Sequence, residues 1–293
     1  METDNRKSTS RTKPVLNGKA IYTPKGAALE YAPVGCNLYT GCPHDCEYCY
    51  LKRGVLSHAM GGTEVRLKSC FKNDDDAVMT FVREIDKHLD YLRQVGVFFS
   101  FSTDPLIKET RDVTKCCIIQ ANNRHIPVKL LTKNADFIDD DVFMSWLLLH
   151  DFRKDLVAFG FTLTGRDDME PNASTNSQRI ETMRRLSQMG FKTFASIEPV
   201  IDWTHANMVV KLSLDCCCHY KIGLRSGVKK DYYDLLRSGM WLDNMTKDII
   251  QAGRTVYLKE SSRKLLARCY KPEYLKTILS RSVDMDYNLF NNK

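Results

Sequence analysis

The sequence lacks the features that mark membrane proteins and secreted proteins. Within its 293 residues, no apolar run approaches the ~20 residues that a membrane-spanning helix needs. The first residues include no apolar segment of the kind found in secretory signals. The 11 cysteines are odd in number, and the adjacent ones at 116–117 and 216–218 are poorly placed to pair with each other. These absences favour a cytoplasmic protein in a reducing compartment, with no membrane partner.

Composition and charge are those of an ordinary globular protein with a mild excess of basic residues. Hydrophobic residues make up 43% of the chain and charged residues 27%. The net charge of +7 favours an anionic partner such as nucleic acid, with ordinary surface charge as the alternative. We predict a disordered basic tail over residues 1–16, a core domain over 17–262 and a helical extension over 263–293, since no linker divides the core.

Short apolar runs alternate with stretches of helical periodicity along the core. The predicted strands are 30–35, 97–101, 127–131, 156–163, 191–197, 216–222 and 255–259. The predicted helices are 74–95, 110–123, 139–150, 175–189, 204–214 and 231–252. Apolar strands that each lead into a helix are typical of a parallel sheet covered by helices. The fold class is therefore α/β, with the sheet either closed into a full or partial barrel or left doubly wound.

Three cysteines lie within eight residues, at Cys42, Cys46 and Cys49. Thiolates this close in sequence can bind one metal centre. A structural zinc site or an ordinary iron–sulfur site needs four protein ligands, whereas three thiolates on a four-iron cluster leave one iron free to bind another molecule. Cys36 or His44 could supply a fourth ligand. A zinc-binding nucleic-acid module and an iron–sulfur electron-transfer protein therefore remain open as alternatives at this point.

Polar residues collect at the predicted strand ends, where sites form in parallel α/β folds. They are Ser102, Thr103, Asp104, Thr132, Lys133, Thr162, Thr164, Glu198, Lys221, Lys259 and Glu260. The cysteine loop follows the first predicted strand, so it opens at the same end of the sheet. Hydroxyls, lysines and carboxylates beside a three-cysteine loop predict a cofactor site.

The cysteine motif, with Tyr48 before its last cysteine, resembles the signature of radical S-adenosylmethionine (SAM) enzymes. Within that superfamily the resemblance is to the spore photoproduct lyase-like, or "DNA repair photolyase", branch. The stretches that carry it are 37–50, 102–105 with Glu109 beyond it, 131–133 and 195–200. They occur in order over about residues 30–260, at predicted strand ends.

The resemblance implies a partial (β/α)6 barrel of the TIM type that holds a [4Fe–4S] cluster on Cys42, Cys46 and Cys49, with SAM on the fourth iron. Reductive cleavage of SAM would then give a 5′-deoxyadenosyl radical that abstracts a hydrogen from the substrate. The SAM contacts that it implies are Tyr48 near the adenine, Ser102, Thr103 and Asp104 near the amino group, Lys133 at the carboxylate, and Thr162 or Thr164 at the ribose or carboxylate. The expected reductant is flavodoxin or ferredoxin.

The chain also departs from the spore photoproduct lyases. Those enzymes use a further cysteine as hydrogen donor, and none of the candidates here aligns with it; the candidates are Cys70, Cys116, Cys117 and Cys216–Cys218. The chain is also short of dedicated DNA-binding elements. The sequence therefore predicts a radical SAM enzyme whose substrate is open, with nucleic acid favoured by charge and by family.

Overall fold

The computed structural model describes residues 13–54, 57, 60–229 and 231–291. Residues 1–12, most of the predicted tail, lie outside the described residues. Leu16, at the end of that tail, is buried in the main core, and its backbone N–H donates to Thr23 Oγ1. The boundaries drawn at 16 and 262 stay predictions.

The part of the chain that the structure describes forms nine α-helices. They are α1 (Asp74–Lys87), α2 (Leu89–Val95), α3 (Lys108–Asn122), α4 (Asp141–Leu147), α5 (Asn176–Gln188), α6 (Trp203–Ser213), α7 (Leu235–Gln251), α8 (Glu260–Cys269) and α9 (Pro272–Leu279). Side-chain caps fix several starts: the side chain of Asn73 accepts from the Asp76 N–H, and Thr175 forms a capping box with Gln178. In these residues no helix has the length and apolar character needed to cross a membrane.

The strands build one main sheet and one small sheet. They are β1 (Ile21–Tyr22), β2 (Gly35–Cys36), β3 (Tyr39–Thr40), β4 (Arg66–Leu67), β5 (Val97–Phe99), β6 (Val128–Thr132), β7 (Val157–Thr162), β8 (Lys192–Val200), β9 (His219–Leu224) and β10 (Thr255–Leu258). The main sheet has the order β1-β2-β5-β6-β7-β8-β9-β10, and β3 pairs with β4. Every neighbour pair of the main sheet is parallel except β1–β2. The predicted α/β fold with a parallel sheet is confirmed.

The main sheet curves around Tyr31. The Tyr31 hydroxyl lies 2.6 Å from Ser196 Oγ of β8, and its carbonyl oxygen lies 3.4 Å from Lys129 Nζ of β6 and 3.5 Å from Lys221 Nζ of β9. Lys259, directly after β10, places its ammonium 4.3 Å from the centre of the Tyr31 ring. Since side chains from several strands meet at one interior residue, the sheet forms a partial barrel whose edge strands β1 and β10 do not pair with each other.

Two strand predictions were wrong in position. The first strand, predicted over 30–35, is reduced to β2, and Glu30 lies before it with its carboxylate accepting from the Tyr257 hydroxyl at 3.0 Å. The cysteines at 216–218 precede β9 instead of lying in it. The N–H groups of Cys216 and Cys217 donate to the Ser213 carbonyl, at 3.1 Å and 2.9 Å, so the cysteines form a turn after α6.

The C-terminal segment closes the amino end of the barrel. After α9, the N–H of Val283 donates to the Val256 carbonyl at 2.8 Å. Leu289 is buried in an interior cluster with Phe98 and Phe194. The interior is therefore filled at this end, and the space for a ligand lies at the opposite end of the strands.

Candidate functional site

A cavity of about 620 Å³ opens at the carboxyl ends of the strands. This volume lies within the usual range of small-molecule sites in proteins. Predicted site residues that line it are Cys42, Cys46, Tyr48, Cys49, Thr103, Asp104, Lys133 and Thr162. The structure therefore brings eight of the ten predicted cofactor and metal residues to one space.

The loop that carries the three cysteines is fixed by its backbone. Gly41, just before it, has a φ of 79°, and a methyl group on its α-carbon would lie 2.0 Å from the Glu64 carbonyl oxygen, so only glycine fits. The N–H of Cys42 donates to the Gly62 carbonyl at 2.9 Å, and that of Glu47 donates to the Met169 carbonyl at 3.0 Å. These bonds present the thiols of one short loop to the cavity.

Two of the three thiols of this loop, Cys42 and Cys46, have raised pKa values, which favour the protonated form when no metal is bound. Burial raises the pKa of Cys42 to about 12, and the Asp104 carboxylate adds to that rise. Burial also raises the pKa of Cys46, with the Lys133 ammonium acting in the opposite direction. Metal binding at these thiols therefore requires proton release, as is usual for cysteine ligands.

Neither candidate for a fourth protein ligand is free to serve. Cys36 is fully buried in the main core on β2 and does not line the cavity. His44 uses both ring nitrogens: Nδ1 lies 3.0 Å from the Asn172 carbonyl oxygen, and Nε2 lies 2.8 Å from Asp104 Oδ2. The zinc and electron-transfer alternatives therefore lack the ligands proposed for them.

The donor set fits a cluster better than a single ion. Over the described ranges, no three or more His, Cys, Asp and Glu side chains are grouped closely enough to hold one metal ion. The thiolates of a four-iron cluster each bind a different iron, so they lie further apart than the ligands of one ion. Three thiols around one cavity, without a fourth protein ligand, match a cluster with one open iron.

Asp104 ties the cysteine loop to the ends of β5 and β6. It is buried and accepts hydrogen bonds from His44 Nε2, the Thr132 hydroxyl at 2.7 Å and the Lys133 N–H at 2.7 Å. Burial alone would raise its pKa, but the hydrogen bond and charge of His44, with the backbone N–H groups of Lys133 and Leu106, together outweigh burial, and the pKa lies below its usual value. Because its oxygens are already engaged, the geometry gives Asp104 a role in positioning the loop. Its predicted contact with SAM stays a prediction.

A buried ion pair fixes Tyr48 at the cavity wall. The Tyr48 hydroxyl donates to Glu170, and Glu170 Oε2 lies 2.6 Å from Arg179 Nη2, both side chains being fully buried. Arg179 Nη1 also donates to the Thr162 carbonyl at 2.8 Å. Neither charged residue was predicted, because both lie in a polar stretch with no sequence sign of burial.

Apart from the cysteine side, the cavity has a second polar group, which we call the opposite wall: Tyr31, Glu198, Lys259 and Arg225. Glu198 Oε2 accepts from Lys259 Nζ and from the Tyr31 hydroxyl, each at 2.5 Å. Burial raises the pKa of Tyr31 well above its ordinary value, and the Glu198 charge adds to the rise. Glu198 and Lys259 were predicted as residues of this end of the sheet, whereas Tyr31 was missed.

Comparison with known proteins identifies the fold. No protein-family model matches the chain, and no curated protein matches its sequence. A spore photoproduct lyase complexed with dinucleoside spore photoproduct is similar in structure, with a TM-score of 0.58 and 15% identity over 78% of this chain and 77% of the other. A mutant of such a lyase, with bound AdoMet and dinucleoside spore photoproduct, has a TM-score of 0.52 and 16% identity, over 69% of this chain and 59% of the other. The chain has the fold of radical SAM enzymes.

A third match agrees with this fold. Another mutant spore photoproduct lyase gives a TM-score of 0.51 at 14% identity, over 87% of this chain and 65% of the other. The predicted resemblance is therefore confirmed for the fold. At identities this low, the structural similarity supports a shared radical SAM fold and does not define the reaction.

Two cavity residues, Thr103 and Lys133, each carry a polar group with no hydrogen bond or ion pair to a described residue. Thr103 Oγ1 is buried and has no hydrogen-bond partner among the described residues. A buried hydroxyl without a partner is costly, so a ligand atom there would be favoured. Burial would lower the pKa of Lys133, but the nearby Cys46 and Glu170 outweigh it, and the pKa lies above its usual value. Its ammonium forms no ion pair with a described carboxylate and lies 5.4 Å from the centre of the Tyr48 ring.

Two predicted residues lie outside the cavity lining of this radical SAM fold. Ser102 is buried and donates its hydroxyl to the Tyr39 carbonyl at 2.5 Å. Thr164 is fully buried, and its hydroxyl accepts from the Arg166 N–H at 3.2 Å. Both side chains satisfy the backbone near the site instead of facing the cavity, so we leave them out of the cofactor site proposed below.

Proposed function

We propose that this chain is a radical SAM enzyme that holds a [4Fe–4S] cluster on Cys42, Cys46 and Cys49, with SAM in the same cavity. One observation carries the proposal: three thiols of a single fixed loop line the cavity at the strand ends of a radical SAM fold. When bound, the cluster and SAM supply a 5′-deoxyadenosyl radical that removes a hydrogen atom from a substrate.

The chain's own residues would bind and orient SAM. The unpartnered Thr103 hydroxyl is suited to the amino group, and the Lys133 ammonium is suited to the carboxylate. The Tyr48 ring, held by Glu170 and Arg179, offers a flat apolar surface for the adenine. Thr162, at the end of β7, lines the same part of the cavity and is suited to the ribose.

We further propose a nucleic-acid substrate, a one-electron donor such as flavodoxin or ferredoxin, and a cytoplasmic location. The net charge of +7 supports the nucleic-acid substrate, as does the likeness to lyases solved with dinucleoside spore photoproduct. As the described residues form it, the cavity has no cysteine in its lining besides the three of the loop. We therefore do not extend to this chain the lyase reaction that depends on a further cysteine.

The proposal is tested by anaerobic reconstitution of the full chain with iron and sulfide. We expect about four irons and four sulfides per chain, and a spectrum of the reduced cluster that changes when SAM is added. Cys42→Ala should lose the complete cluster. Cys70→Ala is the matched control, because Cys70 is exposed and outside the cavity lining.

Three outcomes would contradict the proposal. Bound zinc without iron would favour a structural metal site. A cluster whose spectrum ignores SAM would favour electron transfer. Equal iron content in Cys42→Ala and Cys70→Ala would show that the cysteine loop does not bind the cluster.

A further inference from the structure

The charges that line the cavity are mostly paired, and the exceptions point to a ligand. Lys52 pairs with Asp45, His44 with Asp104, and Lys259 with Glu198. Lys133 belongs to the cofactor side described above. Lys25 and Arg225 also line the cavity, and neither forms an ion pair with any described residue.

The backbone around Arg225 is fixed although its side chain has no partner. Its N–H donates to the Tyr233 hydroxyl at 2.8 Å, and that hydroxyl donates to the Val200 carbonyl at the end of β8. The next residue, Ser226, accepts a hydrogen bond on its carbonyl from Arg53 Nη1 at 2.9 Å. The Nε atom of Arg225 is buried and has no hydrogen-bond partner among the described residues.

The backbone close to Arg225 and to Lys25 approaches the same pair, Glu198 and Lys259. Lys25 precedes the short helical turn Gly26–Ala28, and the Ala27 carbonyl lies 3.4 Å from Lys259 Nζ. Two residues before Arg225, a methyl group on Gly223 would lie 2.6 Å from Glu198 Oε1. Both unpaired cations therefore lie in segments whose backbone approaches the Glu198–Lys259 pair.

No described carboxylate forms an ion pair with either cation. Between residues 13 and 291 the positions that the structure does not describe are Val55, Leu56, His58, Ala59 and Lys230, none of which is acidic. The guanidinium of Arg225 therefore has five donors and no carboxylate among the described residues to accept them. A planar fork of donors in this state fits the oxygens of a phosphate, which arginine binds in bidentate fashion.

Aromatic rings line the same cavity as this cation pair and the cysteine loop. Tyr50 follows the last cysteine directly, lines the cavity and is 48% exposed, and its hydroxyl donates to the Phe101 carbonyl. Phe101 and Tyr31 line the same space. Exposed aromatic faces beside cations are typical of sites that bind nucleotides, because every base can stack on a ring.

We propose that Arg225, with Lys25, binds a phosphate of a nucleotide substrate and thereby orients the substrate toward the cysteine side of the cavity. This inference rests on the proposed function, since it assigns the substrate side of the same cavity. SAM carries no phosphate, and its carboxylate is already assigned to Lys133. The phosphate can belong to a free nucleotide or to a polynucleotide.

Equilibrium binding to the full chain tests the proposal, with and without the reconstituted cluster. The probes are thymidine 5′-phosphate, fluorescein-labelled single-stranded (dT)10, thymidine without phosphate and the dipeptide Glu-Glu. We expect a phosphorylated probe to bind and Arg225→Ala to weaken it at least tenfold, with Arg225→Lys intermediate. Arg237→Ala is the matched control, because this exposed arginine lies outside the cavity and its loss changes the net charge equally. It should change affinity by less than about twofold.

The probes separate the two sources of phosphate. If thymidine 5′-phosphate binds in an Arg225-dependent manner, the substrate is a free nucleotide, and if only (dT)10 does, it is a nucleic acid. Equal weakening by Arg225→Ala and Arg237→Ala would overturn the proposal, because it would show general charge attraction. It is also overturned if Glu-Glu binds and no phosphorylated probe does, or if Arg225→Ala weakens SAM binding instead. Binding to the cluster-free chain keeps this result distinct from a failure of the radical SAM function.

Discussion

The two sides of the cavity are built with different charge balances. On the cysteine side each buried carboxylate has its own basic partner, Asp104 with His44 and Glu170 with Arg179. At and behind the opposite wall, buried lysines outnumber carboxylates. The lysines are Lys129, Lys221 and Lys259, and the carboxylates are Glu30 and Glu198. Matched charges hold the cysteine loop in one geometry, whereas a surplus of basic groups is what the phosphate site proposed above requires.

Two of these lysines, Lys129 and Lys221, have lowered pKa values. Burial lowers the pKa of Lys129 to about 8. Burial also lowers that of Lys221 well below its usual value, and the charges of Lys129 and Lys259 add to the effect. Buried charge without a full set of partners reduces folding stability. The two sides should therefore respond to loss of a positive charge in opposite directions.

The largest expected effect is on the cysteine side. Arg179→Met should lower the free energy of unfolding by about 3–5 kcal/mol, because Glu170 would stay buried without its partner. Urea unfolding measures this. Arg166→Met is the control: its pair with Asp168 is partly exposed, so the loss should stay below about 1 kcal/mol. Equal losses in the two variants would show that the buried pair does not support this side.

The next effect concerns cofactor binding on the same side. Lys133→Met should weaken SAM binding to the reconstituted protein about tenfold to hundredfold, because it removes a charge-assisted hydrogen bond worth ~1.5–3 kcal/mol. Calorimetric titration with SAM measures this. Lys52→Met provides the comparison, since Lys52 also lines the cavity but already pairs with Asp45. If both variants bind SAM alike, the Lys133 assignment is wrong.

The smallest expected effect is a gain in folding stability when a lysine behind the opposite wall is replaced. Because the pKa of Lys129 is lower in the folded state, the unfolded chain binds more protons between about pH 8 and 10.5, and this lysine costs most stability below pH 8. Lys129→Met should therefore be more stable than the wild type at pH 7. That advantage should shrink by about 1–2 kcal/mol at pH 9.5.

Urea unfolding of Lys129→Met and of the wild type at pH 7 and pH 9.5 tests this prediction. The other titrating groups are the same in both proteins, so their contributions cancel in the difference between the two free energies of unfolding. Lys72→Met, at an exposed lysine, should show no such trend. An advantage for Lys129→Met that grows with pH would contradict the charge surplus described here.

Much of the fold could be predicted because its elements are specified locally. Apolar runs such as Val157–Thr162 alternate with helices that begin at their own caps, as α1 does at Asn73. The first strand could not be predicted, since β2 has two residues and its position is set by pairing with β1 and β5. The turn at 216–218 was missed because three consecutive cysteines are apolar and extend the apolar run that predicts the following strand.

The site could be predicted only to the level of the loop and the strand ends. Ser102 and Thr103 are adjacent and chemically alike, yet only Thr103 lines the cavity, because the backbone path turns the other hydroxyl toward Tyr39. Residues whose role depends on distant partners, such as Glu170 and Tyr31, have no local signal. Their function follows from packing across the barrel, which a single sequence does not reveal.

The central claim is that the cysteine side of the cavity supports reductive cleavage of SAM. It is tested most directly by measuring 5′-deoxyadenosine after anaerobic incubation of the reconstituted chain with SAM and dithionite. The account predicts that the wild type and Cys70→Ala form 5′-deoxyadenosine in equal amounts and that Cys42→Ala forms none. Absence of 5′-deoxyadenosine from the cluster-bearing wild type, or equal formation by Cys42→Ala, would contradict it.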